Sequence, residues 1–338
     1  MRAFRTKFIA AAVAMSTALA VGIWSPAAAG PEPDVAPTSS KSQVPDLTAP
    51  AQGSHPDASR YVRQNPGAVP PGVNDFSCLP SPTRPRPVVL LHGTDSTAYS
   101  DFAALGPRLS AAGYCVFALN YGGRDGEANY GTEDIRNSAA QVAEFVKQVR
   151  TATHSEHVDI VGYSQGATVG RYFINKLGGA QVVGHWVGLA SPSYGSSLYG
   201  LVTVAGQVPG AMDEAVTILP KELVSTALWQ QAQGSAFLDD LNNPSDTVPG
   251  VKYVTIASLV DEVIQPPSNV ALRDPAATNL VLQEICPGDL TGHFRMPYDD
   301  VAIRLVMAAL DPQSGSIGEC VDVPLGAGVL DMVIAENS

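Results

Sequence analysis

Ser164 stands in Gly162-Tyr163-Ser164-Gln165-Gly166, a G-x-S-x-G run that follows an apolar stretch over 158–161 and precedes a helix-period stretch over 168–177. A strand, a tight turn and a helix in this order lift a serine hydroxyl clear of a sheet, and only small flanking residues tolerate the turn. Such a serine attacks carbonyl carbon, but a neutral hydroxyl does so only when a base removes its proton. Six histidines could supply that base, namely His55, His92, His154, His157, His185 and His293. Where the serine sits on this kind of turn, the acid and then the histidine follow it in the chain, so only His185 and His293 qualify. His185 falls inside an apolar run over 182–189, the place of a satisfied core histidine. His293 lies in Leu290-Thr291-Gly292-His293-Phe294, a loop between the last expected strand and the last expected helix, and is the expected base.

A carboxylate must orient the imidazole, and it should lie past a strand end between Ser164 and His293. Asp261 and Glu262 both follow an apolar run over 253–259, whereas Asp213, Asp239, Asp240 and Asp246 lie in an irregular stretch. Asp261 is preferred, with Glu262 as the alternative. Attack on a carbonyl also needs donors aimed at the developing oxyanion. One is the backbone N–H of Gln165. The other is expected in His92-Gly93-Thr94 after an early strand, where glycine permits close backbone approach and Thr94 can offer both its N–H and its hydroxyl. An ordinary strand-end turn is the plainer reading of that loop.

The scaffold for these residues is legible as alternating elements. Val88–Leu91 and runs over 114–119, 158–161, 182–189, 253–259 and 280–285 read as strands. Helical spacing recurs over 102–109, 133–149, 168–177 and 301–310. This alternation implies an α/β fold, a mostly parallel sheet with helices on both faces. The stretch over about 191–250 breaks the alternation and reads as a cap-like insertion on the core, not a separate domain. A composition of 45% hydrophobic and 15% charged residues excludes disorder throughout. The formal charge of −12 would repel a polyanion, which sets nucleic-acid binding aside. No C-x-x-C or His/Cys cluster offers a metal site, and no cofactor is implied.

Residues 1–29 read as a secretory signal peptide: Arg2, Arg5 and Lys7, an apolar run over 8–24, then Ala27 and Ala29 before a cut that leaves Gly30 first. An uncleaved anchor helix is the alternative; after cleavage no membrane span remains. From Gly30 to Pro71 there are nine prolines and a single aromatic, Tyr61, so residues 30–74 are expected to form a flexible leader, with the folded domain spanning 75–338. Four cysteines, Cys78, Cys115, Cys286 and Cys320, suit two disulfides in an exported protein, with free buried thiols as the alternative.

The strings Leu90-Leu91-His92-Gly93-Thr94 and Gly162-Tyr163-Ser164-Gln165-Gly166 resemble those of the class 2 bacterial lipases, secreted members of the α/β-hydrolase superfamily. Closer still is a resemblance to Candida antarctica lipase B. It lies in Ser164-Gln165-Gly166, in Trp229-Gln230-Gln231 followed by Gly234-Ser235-Ala236, and in Asp261-Glu262-Val263-Ile264-Gln265-Pro266, and covers most of the region from about 75 to 320. The resemblance implies an α/β-hydrolase fold, a triad of Ser164, Asp261 and His293, oxyanion donors at Thr94 and Gln165, and bridges from Cys78 to Cys115 and from Cys286 to Cys320. Tyr163 replaces the tryptophan of the yeast enzyme, so the alcohol-side pocket of that enzyme is not implied, and its third disulfide is absent. The expectation is a secreted carboxylic ester hydrolase, in the first instance a lipase acting on triacylglycerol or other lipid esters at a lipid–water interface. A short-chain esterase or cutinase-like polyester hydrolase, and an inert hydrolase-fold binding module, are the alternatives.

Overall fold

The chain is described from a computed structural model covering residues 40–196, 225–311 and 318–328. The expected signal segment, the expected leader up to residue 39 and residues 197–224 of the expected insertion lie outside the described residues. A seven-stranded sheet forms the centre, in the order β1-β5-β4-β6-β7-β8-β9. These strands are β1 (Lys41–Gln43), β4 (Val88–Leu91), β5 (Val116–Gly123), β6 (Val158–Tyr163), β7 (Val183–Leu189), β8 (Lys252–Ala257) and β9 (Thr278–Val281). All neighbours pair in parallel except β1, which runs antiparallel to β5 along the edge. Two further short strands, β2 (Leu47–Thr48) and β3 (Ala68–Val69), pair with each other.

Side-chain alternation along the strands divides the core in two. Val88, Leu90, Val161, Leu189 and Ile256 face one way, onto α2 (Ala98–Phe102), α3 (Leu105–Ala111) and α9 (Asp300–Leu310). Val89, Leu91, Ile160, Trp186 and Tyr253 face the other, onto α4 (Ile135–Thr153), α5 (Gln165–Lys176) and α7 (Ala236–Leu241) of the insertion. Strands covered on both faces need continuous apolar runs, as the sequence carries. Disulfides join Cys78 to Cys115 and Cys286 to Cys320, with Cα–Cα separations of 5.7 and 5.4 Å, as the resemblance implies. Among the described residues no helix is long and apolar enough to cross a membrane.

Three expectations are corrected. Residues 40–74 do not form a flexible leader: besides β1, they build α1 (His55–Gln64), capped by the Ser54 side chain and carrying Pro56 in its first turn, where a missing N–H costs nothing. This helix buries Ala58 beside Tyr99, Ala103 and Tyr298, so the segment orders itself on a core that other residues supply, and the folded unit begins before residue 75. The expected helix over 102–109 is two helices, α2 and α3, because Pro107 cannot donate a helical hydrogen bond and fits only a first turn. The expected strand over 280–285 ends at Val281. Its partner β8 stops at Ala257, opposite Val281, and the chain turns into α8 (Leu282–Ile285), which places Leu282 in the core.

Candidate active site

Ser164 sits between β6 and α5 with φ 51° and ψ −121°, a left-handed backbone that costs a non-glycine residue energy and persists only where its surroundings impose it. The two flanking glycines show why the turn can close. A Cβ on Gly162 would lie 2.3 Å from the Ala167 nitrogen, and one on Gly166 would lie 1.9 Å from the Leu91 carbonyl oxygen. The elbow is thus wedged against the end of β4 by backbone contacts that no side chain could share. Ser164 is 9% exposed.

The loops after β8 and after α8 meet above this turn. His293 Nε2 is 3.0 Å from Ser164 Oγ, and His293 Nδ1 is 2.9 Å from Asp261 Oδ2. Asp261 is held in turn: its Oδ1 accepts the N–H groups of Val263 at 2.8 Å and Ile264 at 2.7 Å. The two acidic alternatives occupy different places. Glu262 Oε2 accepts the backbone N–H of His293 at 2.6 Å and does not reach the ring. Gly292 makes room for it, since a Cβ there would lie 2.1 Å from Glu262 Oε1. Tyr163 OH donates to the His293 carbonyl at 3.0 Å, and Ser258 Oγ donates to the Thr291 carbonyl at 2.6 Å, tying the base loop to the elbow and to the acid loop. Behind it, Leu290 N–H donates to Val323 O and Val323 N–H to Gly288 O, both at 3.0 Å, beside the Cys286–Cys320 bridge.

The third wall is the loop after β4. Gly93 N–H donates to Asp101 Oδ2 at 2.7 Å, and Ser96 Oγ donates to Asp101 Oδ1 at 2.7 Å. Burial pushes the Asp101 carboxyl up, but His55, 3.2 Å away on α1, together with the Gly93 N–H and the His92 ring, outweighs it and holds the group below the usual carboxylate range. His92 itself bonds Gly93 O through Nδ1 at 2.8 Å and accepts the Tyr121 N–H at Nε2 at 3.2 Å. Gln165 is fully buried, and its Nε2 donates to Thr94 Oγ1 at 2.9 Å and to Gly131 O at 2.8 Å. Among the described residues, neither the Thr94 nor the Gln165 backbone N–H has a protein acceptor.

The structure therefore brings Ser164, Asp261, His293, Thr94 and Gln165 to the C-terminal ends of central parallel strands, where ligands of such sheets bind. It separates three of the remaining histidines from them. His154, His157 and His185 line a cleft of about 790 Å³ with Arg86 and Gly184, beside the start of β7. His185 is satisfied there, its Nδ1 2.8 Å from Arg86 Nη2. Among the described residues no group of three or more His, Cys, Asp or Glu side chains is placed to hold a metal ion. The pairing of His55 with Asp101 has no local signal in the sequence, because the two residues lie in different segments.

The family described as Lipase (class 2) matches residues 85–303. No curated protein matches the chain by sequence. Among solved structures, the chain is similar to lipase B of Aspergillus fumigatus, with a TM-score of 0.55 and 20% identity over 75% of this chain and 60% of that one. It is similar to the mature form of the Bacillus licheniformis lipase BlEst2, with a TM-score of 0.50 and 20% identity over 68% of this chain and 94% of that one. The propeptide form of the same lipase gives a TM-score of 0.51 and 19% identity over 72% of this chain and 54% of that one. The chain spans about 60% of the length of the Aspergillus protein, and at these identities the likeness is one of fold.

Proposed function

We propose that the chain, which belongs to the class 2 lipase family and has the α/β-hydrolase fold, hydrolyses carboxylic esters of lipids through an acyl-enzyme on Ser164. Ser164 Oγ attacks the ester carbonyl carbon while His293 Nε2 takes its proton, and Asp261 holds the opposite ring nitrogen and stabilises the imidazolium that forms. Negative charge gathers on the carbonyl oxygen, and the backbone N–H groups of Thr94 and Gln165 and the Thr94 hydroxyl receive it. The tetrahedral species collapses by breaking the bond to the alcohol oxygen, to which His293 returns the proton. Water, deprotonated by the same nitrogen, then attacks the acyl carbon and releases the acid and free Ser164.

The observation that carries this reading is the unbroken line from Asp261 Oδ2 through His293 to Ser164 Oγ, at 2.9 and 3.0 Å, on a serine held in strained backbone. Export is part of the proposal. The N-terminal 29 residues have the order of a removable signal, and disulfides of the kind formed by Cys78–Cys115 and Cys286–Cys320 persist in oxidising compartments. Protein recovered from culture medium should begin at Gly30.

A fluorophosphonate probe tests the chemistry. The parent chain should be labelled at Ser164 and should hydrolyse p-nitrophenyl esters and a triglyceride emulsion, while Ser164→Ala loses labelling and turnover and keeps its thermal unfolding transition. Labelling at another serine removes Ser164 from its role. Turnover of short p-nitrophenyl esters without action on the emulsion would make the protein an esterase in place of a lipase.

A further inference from the structure

We propose that Gln231, a residue of the insertion, is a positioning residue that aims the Thr94 hydroxyl proton at the substrate's oxyanion; this rests on Ser164 being the acylated nucleophile. A hydroxyl has one proton and two lone pairs. Thr94 Oγ1 receives Gln165 Nε2 at 2.9 Å and Gln231 Nε2 at 3.2 Å. The orientation of each amide is fixed by a second contact that can only accept. Gln165 Nε2 also faces Gly131 O at 2.8 Å, and Gln231 Nε2 also faces Ala227 O at 2.9 Å. Turning either amide over would set oxygen against oxygen. Both lone pairs of Thr94 are therefore taken, and the hydroxyl proton can only be donated, away from the two amides.

With Gln165 alone, the proton of Thr94 would have two staggered directions free, one of them into the space that Gln231 fills. The second amide removes that direction before substrate arrives, so that no reorientation is needed as charge develops. Gln231 is 4% exposed and is carried on a docked shelf, α6 (Thr226–Gln230). Ser196 N–H donates to Gln231 O at 2.9 Å, and the Ile135 N–H at the start of α4 donates to Gln230 Oε1 at 2.8 Å. The stretch between β7 and β8 thereby supplies an orienting group to the reaction centre.

The test is a double-mutant cycle read as kcat and KM on p-nitrophenyl butyrate, with probe labelling and thermal unfolding measured for every variant. Thr94→Val should lower kcat by about 10²–10³. Gln231→Leu should lower kcat about tenfold with KM within about twofold, and should cost nothing further in the Thr94→Val background, because there is then no proton to aim. Gln231→Met, unbranched and of similar length, removes the same amide donor, so its loss should match that of Gln231→Leu; it also carries the test if Gln231→Leu does not fold. An undiminished loss from either Gln231 substitution in the Thr94→Val background, or a loss carried by KM, overturns the inference and leaves Gln231 as packing. A folded parent that neither labels nor turns over ester refutes the ester-hydrolase reading itself, which is a different outcome from a working parent whose cycle shows no coupling.

Discussion

His92 and His293 occupy loops at the same end of the sheet, one after β4 and one after β9 and α8, and both are buried, at 0% and 3% exposure. Each ring is bonded through both nitrogens, yet the bonds permit different chemistry. His92 Nδ1 faces a carbonyl, which can only accept, and its Nε2 faces the Tyr121 N–H, which can only donate. That leaves one state, a neutral ring protonated at Nδ1. Burial pushes the His92 pKa below the ordinary imidazole value, more than Asp101 and the Gly93 carbonyl push it up. His293 instead has a carboxylate at Nδ1 and a hydroxyl at Nε2. A hydroxyl can donate or accept, so this ring can take a proton from it and remain bonded at both nitrogens. The partners, not the depth of burial, separate a histidine that holds a loop from one built to move a proton.

The sharpest way to break the contrast is to remove the charge behind His293. Asp261→Asn keeps the size of the side chain, but if its amide turns N–H toward Nδ1 it holds the ring in the tautomer that cannot accept from Ser164. A fall in kcat on the order of 10⁴ is expected, with the fold retained because Oδ1 can still accept from Val263 and Ile264. Steady-state kinetics on a soluble ester decide it: a loss under tenfold would mean that the carboxylate is not what makes His293 a base.

The reciprocal substitution is at His92, with a smaller effect and one on stability. His92→Leu leaves the buried Tyr121 N–H without its acceptor, which costs about 1–3 kcal/mol. Probe labelling of Ser164 should survive, whereas loss of labelling in a folded variant would make His92 part of the reaction. The pH dependence has a definite sign. A histidine whose folded pKa is depressed binds its proton more readily when unfolded, so its contribution to stability is intact above the ordinary value of 6.5 and is lost as pH falls below it. Asp101, also depressed, contributes above 3.8 and loses its contribution only as pH falls below that value. Between these two limits the stability gap between the parent and His92→Leu should narrow as the medium is acidified, as chemical denaturation at a series of pH values would read.

What the sequence made legible follows the range of the interactions. The elbow's pattern is local: Gly162, Ser164 and Gly166 lie within five residues, Gly162 meeting backbone close in the chain and Gly166 meeting the end of β4. Chain order narrows the expected base to His185 and His293, and the apolar run around His185 leaves His293. Composition alone misplaces the segment 40–74, because it asks whether a stretch can bury its own surface. Here the Tyr61 ring lies 5.4 Å from that of Tyr99, and Ala58 packs with Tyr99, Ala103 and Tyr298, a core made elsewhere. The contacts of His55 and Gln231 escape a reading of the sequence for a related reason. Each is made to a distant residue, His55 to Asp101 and Gln231 to Thr94, and although Gln231 falls in a string that carries the resemblance, no spacing in the chain announces its contact.

The smallest effect concerns Glu262, the neighbour that sequence alone left as a rival to Asp261. Its carboxylate touches the His293 loop through the backbone N–H at 2.6 Å and has no bond to the imidazole. A glutamine at this position still offers one oxygen of the same reach to that N–H, and its amide nitrogen can occupy the space that Gly292 leaves for the second oxygen. What Glu262→Gln removes is charge assistance to one backbone hydrogen bond, worth on the order of 1 kcal/mol, with the tautomer of the ring unaffected. A change in kcat of only a few-fold is expected, set against the 10⁴ at the preceding position. A loss from Glu262→Gln equal to that from Asp261→Asn would show that the base answers to the electrostatics of the whole loop in place of one bonded carboxylate, and the contrast between His293 and His92 would then have to be restated in terms of field.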